Sequence, residues 1–128
     1  MSIEPFIRCS QIHKSLTFYT ELLDFKIRQA PDPEPGSFMS MYALLEREGH
    51  FLHVSQHAGD GVFGNVIFIR VKNIDFLYQQ FIENGLKVDD AGENAVISMQ
   101  PVQQTWGMKE FSVRDPDGNR ITFGHSIN

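Results

Sequence analysis

The chain has 128 residues, a formal net charge of -5, a pI of about 5.4 and 41% hydrophobic residues. This composition is typical of a folded domain and argues against disorder. Nucleic acid is not an expected partner, because the eleven basic residues form no run. A membrane is not expected either, because no apolar run approaches the roughly 20 residues that span a bilayer.

The cysteine content indicates a reducing compartment. Cys9 is the only cysteine, so the chain cannot form an intramolecular disulfide. The N-terminal residues show no basic region followed by a long apolar stretch, so a secretory signal is not expected. We therefore expect a cytoplasmic protein. Burial of Cys9 on a strand is also expected, which favours an inert thiol over a nucleophile.

A short internal repeat divides the chain into two halves. The sequence Phe-Ile-Arg begins at Phe6 and again at Phe68, and an isoleucine that opens a helical pattern follows at the same distance, as Ile12 and then Ile74. Each helix leads into a similar segment, Phe25-Lys26-Ile27 or Leu86-Lys87-Val88. Identity, register and following pattern recur together, which indicates two similar modules.

In the first half, Ser10 is the expected cap of a helix whose inward residues would be Ile12, Leu16, Tyr19, Leu22 and Leu23. A loop rich in proline, ending at Gly36, follows. Residues 38–46 and 50–56 are predicted to form a hairpin that turns near Glu48-Gly49.

In the second half, Asn73 is the expected cap of a helix that ends at Asn84-Gly85, with inward residues Ile74, Leu77, Tyr78, Phe81 and Ile82. Residues 111–114 and 120–123 flank the turn Asp115-Pro116-Asp117-Gly118-Asn119, in which glycine supplies a positive φ. Each half is therefore one strand, one helix and about three strands. We predict an α+β fold, a single domain of two βαβββ modules over residues 1–58 and 63–128.

Residue alternation predicts what each sheet face does. In the first hairpin one parity is wholly apolar and should pack on a helix: Met39, Met41, Ala43, Leu45, Leu52 and Val54. The other parity mixes aromatic and polar residues: Phe38, Ser40, Tyr42, Leu44, Phe51, His53 and Ser55. Such a surface suits a cavity that grips an organic ligand and orients it with a few hydrogen bonds.

The last hairpin shows the same division. Phe111, Val113, Ile121 and Phe123 are expected to face a helix, and the opposite parity holds Trp106, Met108, Glu110, Ser112 and Thr122. Purely structural interpretations remain open. Tyr42 and Phe51 could belong to a satellite core, Trp106 could cover the end of the sheet, and Glu110 could pair with Arg8 or Arg70.

Three features of the chain occur together: the repeated βαβββ unit, the Phe18-Tyr19 pair, and a C-terminal segment that reads Trp106-Gly107-Met108-Lys109-Glu110-Phe111 and then Asp115-Pro116-Asp117-Gly118-Asn119. In combination they resemble the vicinal-oxygen-chelate superfamily of glyoxalases, bleomycin-resistance proteins and extradiol dioxygenases. The resemblance covers about residues 4–124, and its Trp-Gly and Glu-Phe elements resemble the bleomycin-resistance branch. It implies two cupped half-barrel sheets, a homodimer and ligand sites in the cups.

Metal-using members of that superfamily carry ligands at four equivalent positions, on the first and last strand of each module. The matching residues here are Glu4, His53, Val66 and Thr122. Val66 has no donor atom and Thr122 is a poor ligand, so Glu4 and His53 are weak candidates that would not hold a divalent ion tightly. We expect no metal and no other cofactor; the alternative is one divalent metal ion.

Three functions follow from these residues. The first is a metal-free binding protein that sequesters a planar or aromatic ligand, which could carry a cationic group, in a dimer cleft without catalysing a reaction. Its expected contacts are Phe38, Tyr42, Phe51, His53, Trp106, Met108, Glu110 and Thr122. The second is a metal-dependent lyase, isomerase or dioxygenase, and the third is a scaffold or regulatory module with a vestigial cavity.

Overall fold

The computed structural model describes residues 1–88 and 98–127. The strands are β1 (Phe6–Arg8), β2 (Lys26–Gln29), β3 (Tyr42–Arg47), β4 (His50–Ser55), β5 (Val66–Arg70), β6 (Val102–Gln103), β7 (Met108–Arg114) and β8 (Arg120–Ser126). The α-helices are α1 (Ile12–Thr17), which continues as a π-helical turn over Phe18–Leu22, and α2 (Ile74–Glu83). Within this described part of the chain, no helix is long and apolar enough to cross a membrane.

Two four-stranded sheets have the same strand order, β1-β4-β3-β2 and β5-β8-β7-β6. In each sheet the first and last strands of the module pair in parallel, and the other pairs are antiparallel. The chain forms two compact units, Met1–Asn65 with Asp115–Asn119, and Val66–Arg114 with Arg120–Asn128. The predicted α+β fold with repeated βαβββ modules is confirmed.

In the first unit, the apolar parity of the hairpin forms the core. Ala43, Leu45 and Val54 are fully buried, as are Tyr19 and Leu23 from the helical segment. The expected hairpin turn is present, because Glu48 and Gly49 both have positive φ angles of 52° and 83°. Two successive positive φ values match the right-handed twist of the paired strands, so this turn holds β3 and β4 in register.

Two local predictions for the first unit were wrong. Residues 38–41 form a 3₁₀ turn rather than the start of a strand, so β3 begins at Tyr42. The N-cap of α1 is Gln11 rather than Ser10, and no side chain caps the helix. The N–H of Ile12 instead donates to the side-chain oxygen of Gln56, a residue distant in sequence.

The core of the second unit is a cluster of phenylalanines. The rings of Phe111 and Phe123 stack at 5.3 Å between centroids, and Phe81 of α2 meets Phe123 edge-on at 5.2 Å. The predicted division of the last hairpin into an apolar face and a mixed face is therefore confirmed. Such aromatic pairs contribute about 0.5–1.5 kcal/mol each beyond the burial of their area.

Both ends of α2 agree with the sequence. Asn73 accepts a hydrogen bond from the N–H of Phe76, which is the expected N-cap contact. At the other end Gly85 has φ 107°, and Leu86 and Gly85 donate to the carbonyls of Phe81 and Ile82. This paired closure is the Schellman motif, which stops the helix where a left-handed residue becomes available. The segment 86–88 that follows is not a strand, and β6 lies at Val102–Gln103.

The Asp115–Asn119 turn forms a buried hydrogen-bond network with residues that are distant in sequence. Asp115 and Asn119 are 4% and 0% exposed, and the Asp115 carboxylate accepts hydrogen bonds from the Tyr19 hydroxyl at 2.7 Å and from the Asn119 side chain at 2.8 Å. Asn119 also donates to the Arg8 carbonyl and accepts from the N–H of Asn65. This network joins the turn to the helix and first strand of the first unit.

Candidate functional site

The first sheet has a mixed face, opposite its buried core. Strand register and burial place these side chains on it: Phe6, Arg8, Tyr42, Leu44, Phe51, His53 and Ser55. His53 lies beside Phe6 on the parallel β1–β4 pair, and the two rings stack with centroids 4.3 Å apart and planes parallel. Phe6 was not a predicted site residue, although its alternation with Ile7 and its recurrence as Phe68 were signals that could have identified it.

A chain of three polar side chains crosses this mixed face. The Tyr42 hydroxyl lies 2.6 Å from Nδ1 of His53, and Nε2 of His53 lies 2.8 Å from Oε1 of Glu4. Tyr42, Phe51 and His53 are all partly buried, so the structure brings these three predicted residues together on one face. The side chains of His53 and Glu4 are 16% and 33% exposed, so these hydrogen-bonded groups are accessible to solvent.

The protonation of this chain follows from its contacts. The hydrogen bond with His53, and then that with Ser2, lower the pKa of the Glu4 carboxyl, so Glu4 is a carboxylate at neutral pH. Partial desolvation raises the pKa of the Tyr42 phenol, and the nearby carboxylates of Glu4 and Asp60 add to the effect. Tyr42 is therefore a neutral hydroxyl at physiological pH, able to form hydrogen bonds, and not a phenolate.

Phe38 does not lie on this face. It belongs to the 3₁₀ turn, is 72% exposed and stacks on His57 with ring centroids 4.0 Å apart. The predicted strand parity placed Phe38 beside Tyr42 because it assumed an extended backbone. A helical turn rotates successive side chains by less than the half-turn of a strand, so the alternation does not continue through residues 38–41.

The second sheet has the corresponding mixed face: Phe68, Met108, Glu110, Ser112, Thr122 and Gly124. Glu110 is 8% exposed, and its Oε2 accepts a hydrogen bond from the Trp106 indole N–H at 2.8 Å. The alternation pattern placed Trp106 on the strand with Met108 and Glu110, but it lies in the turn before β7, where it is 53% exposed. A largely buried carboxylate beside an exposed indole can receive a cationic group of an aromatic ligand.

Gly124 allows two of these side chains to lie across the second sheet. A Cβ at position 124 would come within 2.6 Å of the Phe68 ring and 3.1 Å of Cγ of Glu110. Arg70, one of the predicted structural partners of Glu110, lies instead near the Phe68 ring and donates to the Met108 sulfur at 3.5 Å. Within the described residues of this unit, the hydrogen bond of Glu110 therefore comes from Trp106 and not from Arg70.

The donor set does not fit the divalent metal of the superfamily resemblance. The two sheets show that His53 and Thr122 occupy equivalent positions, because His53 pairs with Phe6 as Thr122 pairs with Phe68. Glu4, expected on the first strand, instead precedes β1, whereas Val66 is the first residue of β5. Glu4 and His53 bond to each other, the Thr122 hydroxyl bonds to Ser112 at 2.7 Å, and Val66 offers no donor. In the described ranges, no group of three or more His, Cys, Asp or Glu is arranged to hold a metal.

An open depression of about 580 Å³ lies elsewhere in the first unit. It is lined by His13, Lys14, Thr17, Phe18, Glu21, Leu22 and Pro116, so it follows the exposed side of α1 and its π-helical turn. None of the predicted site residues lines it. The remaining histidines also lie outside the mixed faces: Nε2 of His57 donates to the Phe38 carbonyl, and His125 accepts from the N–H of Ile74.

A protein-family model described as the Glyoxalase/Bleomycin resistance protein/Dioxygenase superfamily matches residues 3–123 of the chain. The chain belongs to this superfamily. No curated protein matches the chain. Its fold is that of the bleomycin resistance determinant encoded on transposon Tn5, with a TM-score of 0.73, 19% identity and 98% of each chain covered.

Two further solved structures have the same fold. One is a bleomycin-binding protein from the bleomycin-producing Streptomyces verticillus, in complex with copper(II)-bleomycin; its TM-score is 0.64 at 20% identity, covering 96% of this chain and 93% of that one. The other is TnmS3, an antibiotic binding protein from Streptomyces sp. CB03234, with a TM-score of 0.66, 21% identity and 98% coverage of both chains.

Proposed function

We propose that this superfamily member is a metal-free binding protein that sequesters a planar or aromatic small molecule with a hydrogen-bonding or cationic group. The observation that carries this proposal is the composition of the two mixed faces. Each presents aromatic rings beside a positioned polar group, His53 and Tyr42 in one unit and Glu110 in the other. Apolar walls with a few directed polar groups are the usual form of a ligand site.

Two of the solved structures with this fold support a binding role in place of catalysis. The Streptomyces verticillus protein binds copper(II)-bleomycin, and TnmS3 is an antibiotic binding protein. Sequestration requires no Lewis acid, which agrees with the poor donor set at Val66 and Thr122. We also propose that the protein works as a homodimer in the cytoplasm and that the ligand lies in a dimer cleft.

Fluorescence of Trp106 tests the proposal directly, because it is the only tryptophan and its indole contacts Glu110. We expect bleomycin or cationic planar aromatic compounds to change its emission saturably. Glu110→Gln keeps an oxygen that can accept from the indole but removes the charge. It should weaken binding of cationic ligands about tenfold and of neutral ones far less.

Glu83→Gln is the matched control, since Glu83 is exposed on α2 and lies outside the mixed face. Equal losses in the two variants would indicate a general effect of charge. No change in emission or thermal stability with any compound tested would contradict the binding function at the second unit.

A further inference from the structure

The direction of the hydrogen bonds in the Glu4–His53–Tyr42 chain can be deduced from the chemistry of its members. An ionised carboxylate only accepts hydrogen bonds. Glu4 accepts from Ser2 at Oε2 and contacts His53 at Oε1, so Nε2 of His53 must be the nitrogen that carries the proton. In a neutral imidazole the other nitrogen, Nδ1, is then unprotonated and can only accept.

This assignment determines what Tyr42 can do. Its hydroxyl has one proton, and the 2.6 Å contact to an unprotonated Nδ1 uses it. The oxygen lone pairs remain, so Tyr42 faces a ligand as an acceptor and not as a donor. The parallel stack of His53 on Phe6, with ring centroids 4.3 Å apart, holds the imidazole plane and opposes a rotation that would turn Nδ1 away from Tyr42 and Nε2 away from Glu4.

We propose that Glu4 is a positioning residue that acts through His53 to make the Tyr42 hydroxyl a hydrogen-bond acceptor. The first unit's mixed face therefore selects a flat ligand that carries an N–H or O–H donor. This inference rests on the proposed binding function at the same face and narrows its ligand class.

The repeat supplies independent support. Tyr42 pairs with Ser55, two residues beyond His53, and Glu110 pairs with Gly124, two residues beyond Thr122. Tyr42 and Glu110 thus occupy equivalent positions in the two sheets, and both present an acceptor oxygen. The hydrogen-bonded His53 is replaced by Thr122 in the second unit, where a carboxylate accepts without needing a neighbour to orient it.

Nuclear magnetic resonance can determine the His53 tautomer without any ligand. In ¹⁵N-labelled protein at pH 8, long-range proton–nitrogen correlations distinguish a protonated from an unprotonated ring nitrogen, and His53→Gln identifies the His53 signals among the five histidines. We expect a protonated Nε2 and an unprotonated Nδ1. Glu4→Leu should convert this single tautomer into a mixture, whereas Ser2→Ala, which keeps the Glu4 carboxylate, should not.

A matched probe pair tests the ligand class. Indole and benzofuran have nearly the same shape, but indole carries an N–H donor where benzofuran carries an oxygen. Indole should bind about fivefold more tightly, measured from shifts of the His53 and Tyr42 resonances, because one neutral hydrogen bond contributes on this scale. Tyr42→Phe should remove the preference while leaving the binding of benzofuran unchanged.

The outcomes separate this inference from the proposed function. A protonated Nδ1, or a tautomer that is unchanged in Glu4→Leu, would overturn the role of Glu4 whatever binds. Equal or tighter binding of benzofuran would overturn the acceptor face but leave a binding function. The expected tautomer with no response to either probe would instead overturn ligand binding at this unit.

Discussion

At the scale of single residues, the buried polar groups are as informative as the apolar core. Tyr19 and Asp115 are almost completely buried and bond to each other, although they are far apart in sequence. The surroundings desolvate the Tyr19 phenol and, with the Asp115 carboxylate, raise its pKa, so the hydroxyl remains a donor. A buried carboxylate is stable only when its oxygens are satisfied, which explains why several donors converge on Asp115.

Removing one donor should therefore cost measurable stability. Tyr19→Phe leaves the ring in the core but deletes the hydroxyl, and we expect a loss of about 1.5–3 kcal/mol in the free energy of unfolding, measured in urea. Asp117→Asn is the control, because Asp117 lies in the same turn but is only partly buried, and its side chain accepts from the Ser10 N–H instead of joining the Asp115 network. An equal effect of both substitutions would show that the turn, and not its buried network, is the source of stability.

Cys9 should show a protected thiol. Burial raises its pKa to about 11 from an ordinary value near 9, so the unfolded chain loses this proton at a lower pH than the folded chain. The contribution of the protonated Cys9 thiol to the free energy of unfolding is therefore fully present below about pH 9 and is lost as the pH rises through about 11. The stability of the wild type relative to Cys9→Ala should thus fall between pH 9 and 11. A constant difference across this range would show that Cys9 titrates normally in the folded state.

At the scale of elements, the two helices begin by different means. Asn73 caps α2 with its own side chain. The N-cap residue of α1, Gln11, makes no side-chain cap, and the N–H of Ile12 bonds to Gln56 instead. The sequence suggests the same start for both, since Ser10 and Asn73 are each good capping residues. Capping requires a particular backbone geometry as well as a suitable residue, and the tertiary contact with Gln56 replaces it in α1.

This difference can be measured by paired substitutions. Asn73→Ala should destabilise the protein by about 1 kcal/mol, because it leaves a helix N–H without its partner. Ser10→Ala should have an effect within about 0.5 kcal/mol, as expected for an exposed residue without a capping bond. Denaturant unfolding of both variants checks this, and a larger loss in Ser10→Ala would place the cap at Ser10 after all.

At the scale of the whole molecule, the expectations concern assembly and metal. The proposed function requires a homodimer that holds no divalent ion, and the competing function is a metal-dependent enzyme of the same superfamily. Native mass spectrometry of protein purified without chelator measures both properties together. We expect twice the chain mass and no bound metal, since Val66 and Thr122 do not complete a ligand set with Glu4 and His53.

A stoichiometric metal in that spectrum would favour catalysis, and calorimetry with zinc, nickel, manganese and iron would identify the ion. The substitution Glu4→Gln should leave the dimer mass unchanged, because it alters the exposed end of one side chain. A monomer at micromolar concentration would contradict the shared cleft but not binding to either unit alone.

Sequence by itself determined the repeat, the α+β fold and most of the face assignments. Residue alternation is a local property of extended chains, so Tyr42 and His53 could be placed on one face before the strands were paired. Tertiary structure decided what alternation does not encode. Phe38 lies in a 3₁₀ turn and therefore not on that face. The first N–H of α1 bonds to the Gln56 side chain, and the Tyr19 hydroxyl donates to the Asp115 carboxylate. Contacts between residues distant in the chain depend on packing in three dimensions, which no local pattern specifies.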